Sequence, residues 1–141
     1  MSDKFFLDTN VIVYAFDQKE TKKSRIAQSL IAQGAADNRA IISYQVIQEF
    51  VNVVLRGFRV SITSSDLESF LFSALFPMAA ISWSPALTME ALRIQAAHRI
   101  GWYDSLILAA AQQGDCEVLY SEDLRHEQRF GNVTVRNPFV A

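Results

Sequence analysis

Short apolar runs alternate with longer segments of helical spacing along this chain, and few architectures accept that rhythm. The runs lie at residues 4–7, 40–42, 79–81 and 118–120, with a weaker one at 133–135. Between the first two, residues 11–16 are apolar before turning polar at Asp17. Residues 21–33 follow with Ile26, Leu30 and Ile31 at helical spacing, and Gly34 is expected to stop that helix. Ser43 is expected to cap a helix reaching about Arg56, with Gly57 after it. Residues 62–76 form the next helix. Thr63 and Ser65 are its candidate caps, Asp66 and Glu68 stand three residues on, and Pro77 stops it. Ser84-Pro85 opens a helix to about His98, and a last helix runs from near Asp104 to Gly114. Strands alternating with helices predict an α/β fold, with a parallel sheet covered on both faces.

The chain has 141 residues, half of them apolar and a fifth charged, which predicts a single packed domain spanning 1–141. Cys116 is the one cysteine, so an intramolecular disulfide is excluded. Its neighbours Asp115 and Glu117 are the wrong charge to activate a thiol. Asp8 and Asn10 interrupt the N-terminal apolar run, and no small-residue cleavage site follows, so a signal peptide is not expected. No charge-free apolar stretch reaches the ~20 residues that span a bilayer. The expectation is a soluble, cytoplasmic protein without membrane contact. A formal net charge of −2 argues against simple electrostatic binding to nucleic acid. It leaves open a metal-dependent nuclease, because bound divalent ions offset carboxylate charge locally.

Four acidic phrases fall where such a sheet would place a ligand. They are Phe6-Leu7-Asp8-Thr9-Asn10, Gln48-Glu49-Phe50, Tyr103-Asp104-Ser105-Leu106-Ile107 and Ser121-Glu122-Asp123-Leu124. Open α/β sheets bind ligands outside the carboxyl ends of their strands. Asp8 closes the first strand, Asp123 lies just past the fourth, Asp104 opens a helix, and Glu49 is on the helix leaving the second strand. At about 100° per residue, Val46, Ile47, Phe50, Val51, Val53 and Val54 form one apolar arc. Glu49 borders that arc, whereas Gln45, Gln48 and Asn52 point further out. Asp104 shares the inward face of Ile107, Leu108 and Ala111. No Lys or Arg stands three or four residues from Glu49 or Asp104. Carboxylates on a buried edge are costly unless paired, and an oxygen-seeking Mg²⁺ or Mn²⁺ ion would pair them. No Cys/His cluster with zinc spacing exists. Such a site can hydrolyse a phosphodiester. On this reading Asp8 and Asp104 are the principal ligands. Asp123 and Glu49 complete the shell, bind a second ion or orient the water, and Asn10 and Ser121 fix carboxylate rotamers from behind.

Each residue also has a plainer reading. Asp8-Thr9-Asn10 suits any strand-to-helix turn, Asp104 is an ordinary N-cap, Asp123 complements a helix terminus, and Glu49 is solvated if the helical phase is shifted. The four together favour the site. Two rival functions remain: a phosphatase with an Asp nucleophile, and a non-catalytic interaction domain. The phosphatase wants a second Asp two residues after the first, where this chain has Asn10.

The ordered set of phrases resembles the PIN-domain ribonucleases, most closely the VapC-type toxins of bacterial toxin–antitoxin pairs. Asp8 and Asn10 resemble the family's first motif, Glu49 its helical acidic position, and Asp104 with its alanine-rich helix the third motif. Ser121 and Asp123 resemble the last. The resemblance covers essentially the whole chain and no acidic position departs from it. It implies a three-layer α/β/α sandwich with a five-stranded parallel sheet. It also implies Mg²⁺- or Mn²⁺-dependent cleavage of RNA, dimerisation, and neutralisation by a cognate antitoxin.

Surface features add expectations. The segment from Asp66 to Phe76 is apolar over roughly two-thirds of its circumference, wider than the ~100° stripe of a surface helix; it is either buried on both sides within the monomer or, the reading favoured in so small a domain, meets a dimer partner or an antitoxin. Lys19, Lys22, Lys23 and Arg25 form one basic run. Arg93, Arg99, Arg125, His126 and Arg129 lie near the last two acidic phrases as candidate phosphate contacts. Trp102 and Tyr103 are candidates for stacking on a base or packing in the core. His98 and His126 are weak candidates for a general base.

Overall fold

The computed structural model describes residues 3–140. Six strands are found among them: β1 (Phe5–Leu7), β2 (Ala40–Ser43), β3 (Ala79–Ile81), β4 (Val118–Tyr120), β5 (Arg129–Phe130) and β6 (Val133–Arg136). The helices are α1 (Thr9–Tyr14), α2 (Thr21–Asp37), α3 (Tyr44–Arg56), α4 (Ser64–Phe70), α5 (Phe76–Met78), α6 (Pro85–His98) and α7 (Trp102–Gln113). One π-helical turn, Leu71–Leu75, joins α4 to α5.

The strands lie side by side in the order β3-β2-β1-β4-β6-β5. The first five in that order are parallel, as the alternation predicts. The five-stranded parallel expectation is corrected at one edge, where β5 pairs antiparallel with β6 through a turn containing Gly131 at φ 61°. A two-residue strand made of Arg and Phe carries no periodicity to read.

The topology fixes where a ligand can bind. From β1 the chain steps outward to β2 and β3, then returns to pair β4 with the other side of β1. The order therefore reverses between β1 and β4, and the crevice of an open sheet opens at the carboxyl ends of such a pair. Pairing continues one step past both strands: Asp8 N–H donates to Tyr120 O at 3.0 Å, and Ser121 N–H to Arg136 O at 3.0 Å. Asp8 and Ser121 are thereby set side by side at the switch point.

Two glycines reveal the layers. A Cβ on Gly34 of α2 would lie 2.3 Å from Ala40 Cβ, and one on Gly114 would lie 3.3 Å from Ile41 Cγ2. Ala40 and Ile41 are consecutive in β2 and point to opposite faces. The α2 helix and the end of α7 therefore cover opposite faces, giving three α/β/α layers. The core between them is built on Phe6, Leu7, Ile12, Ile42, Phe50, Leu108 and Leu119, all fully buried.

Gly34 is not the helix stop expected of it. The α2 helix runs on to Asp37 and ends at Asn38, which takes the left-handed conformation at φ 55°. Gly34 is needed for close approach to β2 instead. Replacing Gly34 with Ala should gain under about 1 kcal/mol in helix propensity but force α2 off the strand, at roughly 1–3 kcal/mol. The expected net result is a lower urea midpoint with unchanged m-value. A raised midpoint would contradict the close-approach role.

Pro77 does not end its helix either. A proline in an α-helix lacks an N–H and clashes with the carbonyl four residues back. The π turn over Leu71–Leu75 widens the backbone ahead of it, and Pro77 sits in the first turn of α5. This apolar segment buries Leu67 and Leu75, and Phe70 packs against Phe16 and Phe50. Phe72 and Phe76 face outward in edge-to-face contact. Thr63 and Ser84 cap α4 and α6 as expected, accepting from Asp66 N–H and Leu87 N–H. Ser43 stands at the α3 N-cap but its buried Oγ makes no capping bond.

Candidate metal centre

Asp8 ends β1 and caps α1, so strand and helix both fix its backbone. Its carboxylate is buried, with 5% of the residue exposed. It accepts from Thr9 N–H and from Ser121 Oγ–H, both at 2.7 Å. Burial pushes its pKa from 3.8 up to about 7. The two hydrogen bonds pull the other way, and the charges of Asp123 and Glu49 push it further up. Ser121 also accepts from Asp123 N–H at 3.2 Å, so one hydroxyl ties Asp8 to Asp123. Ser121 thus stands behind the carboxylates, where the sequence puts it.

Asp104 is the third residue of α7, which begins at Trp102, close to the expected start. It is half-buried, and its pKa is raised by burial first, then by Asp123 and Glu49. Oxygens of Asp8, Asp104 and Asp123 all lie within 4.8 Å of one another. Three chain segments, 8, 104 and 123, meet there without a basic residue in the group.

Glu49 is half-buried on α3, as its helical phase predicts, and lines the same cleft. It stands outside the trio of close oxygens and accepts from Thr9 Oγ1–H at 2.7 Å. The expectation for Asn10 is corrected: it lines the cleft, but its buried Oδ1 and Nδ2 have no hydrogen-bond partner and hold no carboxylate. Thr9 makes the contacts expected of Asn10. The α1 helix is six residues long, and which of its first residues turns toward Glu49 depends on the angle at which it leaves β1.

Gln45 also departs from its expected outward direction. It lines the cleft, and its Nε2 donates to Tyr103 O at 3.4 Å. Arg59 is a cleft residue that sequence spacing could not reveal, because it arrives through the loop after α3. Tyr103 lines the cleft and is exposed, while Trp102 lies outside it. The candidate phosphate contacts Arg93, Arg99, Arg125, His126 and Arg129 are not among the residues lining the cleft. Arg93 pairs with Glu90 on α6. His126 Nδ1 accepts from Asn137 N–H, and His98 packs on Phe130, so neither serves the acidic group. The Cys116 thiol is buried and pushed up to about 12, which agrees with an inert residue.

The cleft measures about 210 Å³. A larger open depression of about 1290 Å³ is lined by residues that enter the strands, among them Lys4, Glu117 and Val133. Among the described residues its carboxylates do not gather their oxygens as those of the cleft do.

The donor set fits a hard divalent cation. All donors are carboxylate oxygens, one is buried deeply enough to resist ionisation alone, and an unpartnered amide lines the same wall. Neither Cys nor His belongs to the group, so the set suits Mg²⁺ or Mn²⁺ and not a thiolate–zinc site.

A three-layer α/β/α sandwich with carboxylates gathered at the switch point of its sheet defines the class of protein. Residues 5–130 match the PIN domain model, and the chain belongs to that family. Among curated proteins, none matches the chain. Solved structures share its fold. A chain of a toxin–antitoxin complex from Klebsiella pneumoniae is 16% identical with TM-score 0.69, covering 96% of this chain and 98% of that one. A chain of VapBC2 from Rickettsia felis, bound to a DNA fragment from its promoter, is 21% identical with TM-score 0.68, covering 94% and 96%. VapC20 of Mycobacterium tuberculosis, a toxin that cleaves the sarcin-ricin loop, is 12% identical with TM-score 0.58, covering 85% and 90%.

Proposed function

We propose that this PIN domain is a Mg²⁺- or Mn²⁺-dependent endoribonuclease and the toxin of a toxin–antitoxin pair, working as one domain in the cytoplasm. The observation that carries the reading is the meeting of Asp8, Asp104 and Asp123 oxygens within 4.8 Å at the switch point. Those three residues would hold the ion, with Glu49 at the edge of the shell. When bound, the ion supplies an activated water and offsets charge on the phosphodiester.

The chain's own groups do the positioning. Ser121 holds Asp8 and Asp123 in one arrangement through its hydroxyl. Thr9 fixes the Glu49 carboxylate, which would orient the attacking water and accept its proton. Burial of both Asp8 and Ser121 strengthens the bond between them. The phosphatase reading lacks its second acid, since Asn10 stands in that place.

The fold neighbours solved with antitoxins support an antitoxin as this chain's partner, and a homodimer is part of the same proposal. The outward pair Phe72 and Phe76 is one of the apolar surfaces available for such a contact.

The test is cleavage of cellular RNA by the purified chain with Mg²⁺ or Mn²⁺, with and without chelator. Cleavage that the chelator stops supports the reading. Failure to cut any RNA would favour a PIN domain that only binds partners. Sequencing RNA ends after induced expression then identifies the substrate and the cut.

A further inference from the structure

We propose that Arg59 is a substrate-binding residue that seats an RNA phosphate at the mouth of the acidic cleft; this rests on the nuclease reading above. The cleft has an electrostatic problem. Asp8, Glu49, Asp104 and Asp123 all line it, and their charge exceeds that of one divalent ion. A polyanion entering the cleft meets residual repulsion unless a fixed cation offsets it. Arg59 is the one Lys or Arg among the described residues lining the cleft.

Its setting is that of a prepared phosphate ligand. The guanidinium lies over the Tyr14 ring, 4.5 Å from the centroid. Arg59 Nε stands 3.6 Å from Asp17 Oδ2. Asp17 is buried and its other oxygen accepts from Lys19 N–H, so the anchor itself is fixed. Tyr14 is held in turn, donating through its hydroxyl to Glu122 Oε1 at 2.7 Å, while Lys23 pairs with Glu122 Oε2 at 2.6 Å. One face and one nitrogen of Arg59 are thus occupied. Among the described residues no hydrogen bond engages its two Nη groups, and no ion pair joins it to the cleft carboxylates. Those Nη groups present the fork of donors that matches a phosphate. An arginine serving only to tie its loop to Asp17 has no need to line the cleft.

The experiment measures steady-state cleavage of a fluorescent unstructured RNA oligonucleotide with Mn²⁺ across a series of KCl concentrations. Arg59→Gln should raise KM by about tenfold and leave kcat within roughly threefold, because the metal ligands are untouched. The slope of log(kcat/KM) against log[KCl] should shrink by about 0.7, the value of one lost phosphate contact on a single strand. Arg59→Lys keeps the charge and should restore the salt slope with only part of the KM. It also keeps the proposal testable if Arg59→Gln folds poorly. Unchanged KM and salt slope, with only a lower melting temperature, would show a purely structural arginine and overturn the proposal. Absence of cleavage of both this oligonucleotide and cellular RNA by the wild type would instead sink the nuclease reading on which it rests.

Discussion

Asp8→Asn should lose metal-dependent RNA cleavage by roughly a thousandfold, or about 4 kcal/mol of transition-state stabilisation, and yet fold more stably without metal above pH 7. The two effects share one cause. Burial lifts the Asp8 pKa from 3.8 to about 7 when no ion is present. Between those pH values the folded chain keeps a proton that the unfolded chain releases. Metal-free stability therefore falls as pH rises from about 4 to about 7, and the loss is complete above that. Holding one proton costs about 1.4 kcal/mol for every pH unit of that window, so the loss amounts to a few kcal/mol. Asn has no proton to release and keeps its place beside Ser121 and Thr9. In chelator, melting at pH 8 should be several degrees higher for Asp8→Asn than for wild type, and the two should converge near pH 4. A variant less stable than wild type at pH 8 would show that Asp8 is not held against its charge.

The second large effect is stabilisation by the ion. A ligand at a hundred times its Kd stabilises the folded state by about 2.7 kcal/mol. For a chain of this size that is roughly 5–15 °C in Tm. Mn²⁺ should produce such a shift for the wild type at pH 7.5. The shift should shrink below about pH 6, where the proton on Asp8 competes for the same oxygens. Asp104→Asn should remove most of it. An equal shift in wild type and Asp104→Asn, read by scanning calorimetry, would place the ion elsewhere.

The residues behind these effects differ in how openly the sequence declares them. Asp8 and Asp104 are legible because a strand end and a helical phase each specify direction. Ser121 is legible because strand pairing carries it beside Asp8. Asn10 and Thr9 exchange roles because a six-residue helix has too few turns to declare its inward face. Arg59 is hidden, since its approach to Tyr14 and Asp17 is a tertiary contact with no local spacing. The same limit applies to the fold. Gly34 reads as a stop signal, and only the 2.3 Å that a Cβ would leave to Ala40 shows a close approach instead. Pro77 reads as an end, and only the widened turn before it shows how the helix absorbs it. The order of β1 and β4, which creates the site, is not carried by the alternating pattern, because alternation says nothing about which strands are neighbours.

Titration of Mn²⁺ into the metal-free chain, followed by electron paramagnetic resonance of the free ion at pH 7.5, tests the centre most directly. The acidic trio predicts saturable binding in the wild type that is lost or weakened by at least about tenfold in Asp104→Asn. Binding of equal strength in both proteins would contradict the assignment of Asp8, Asp104 and Asp123 as the metal centre.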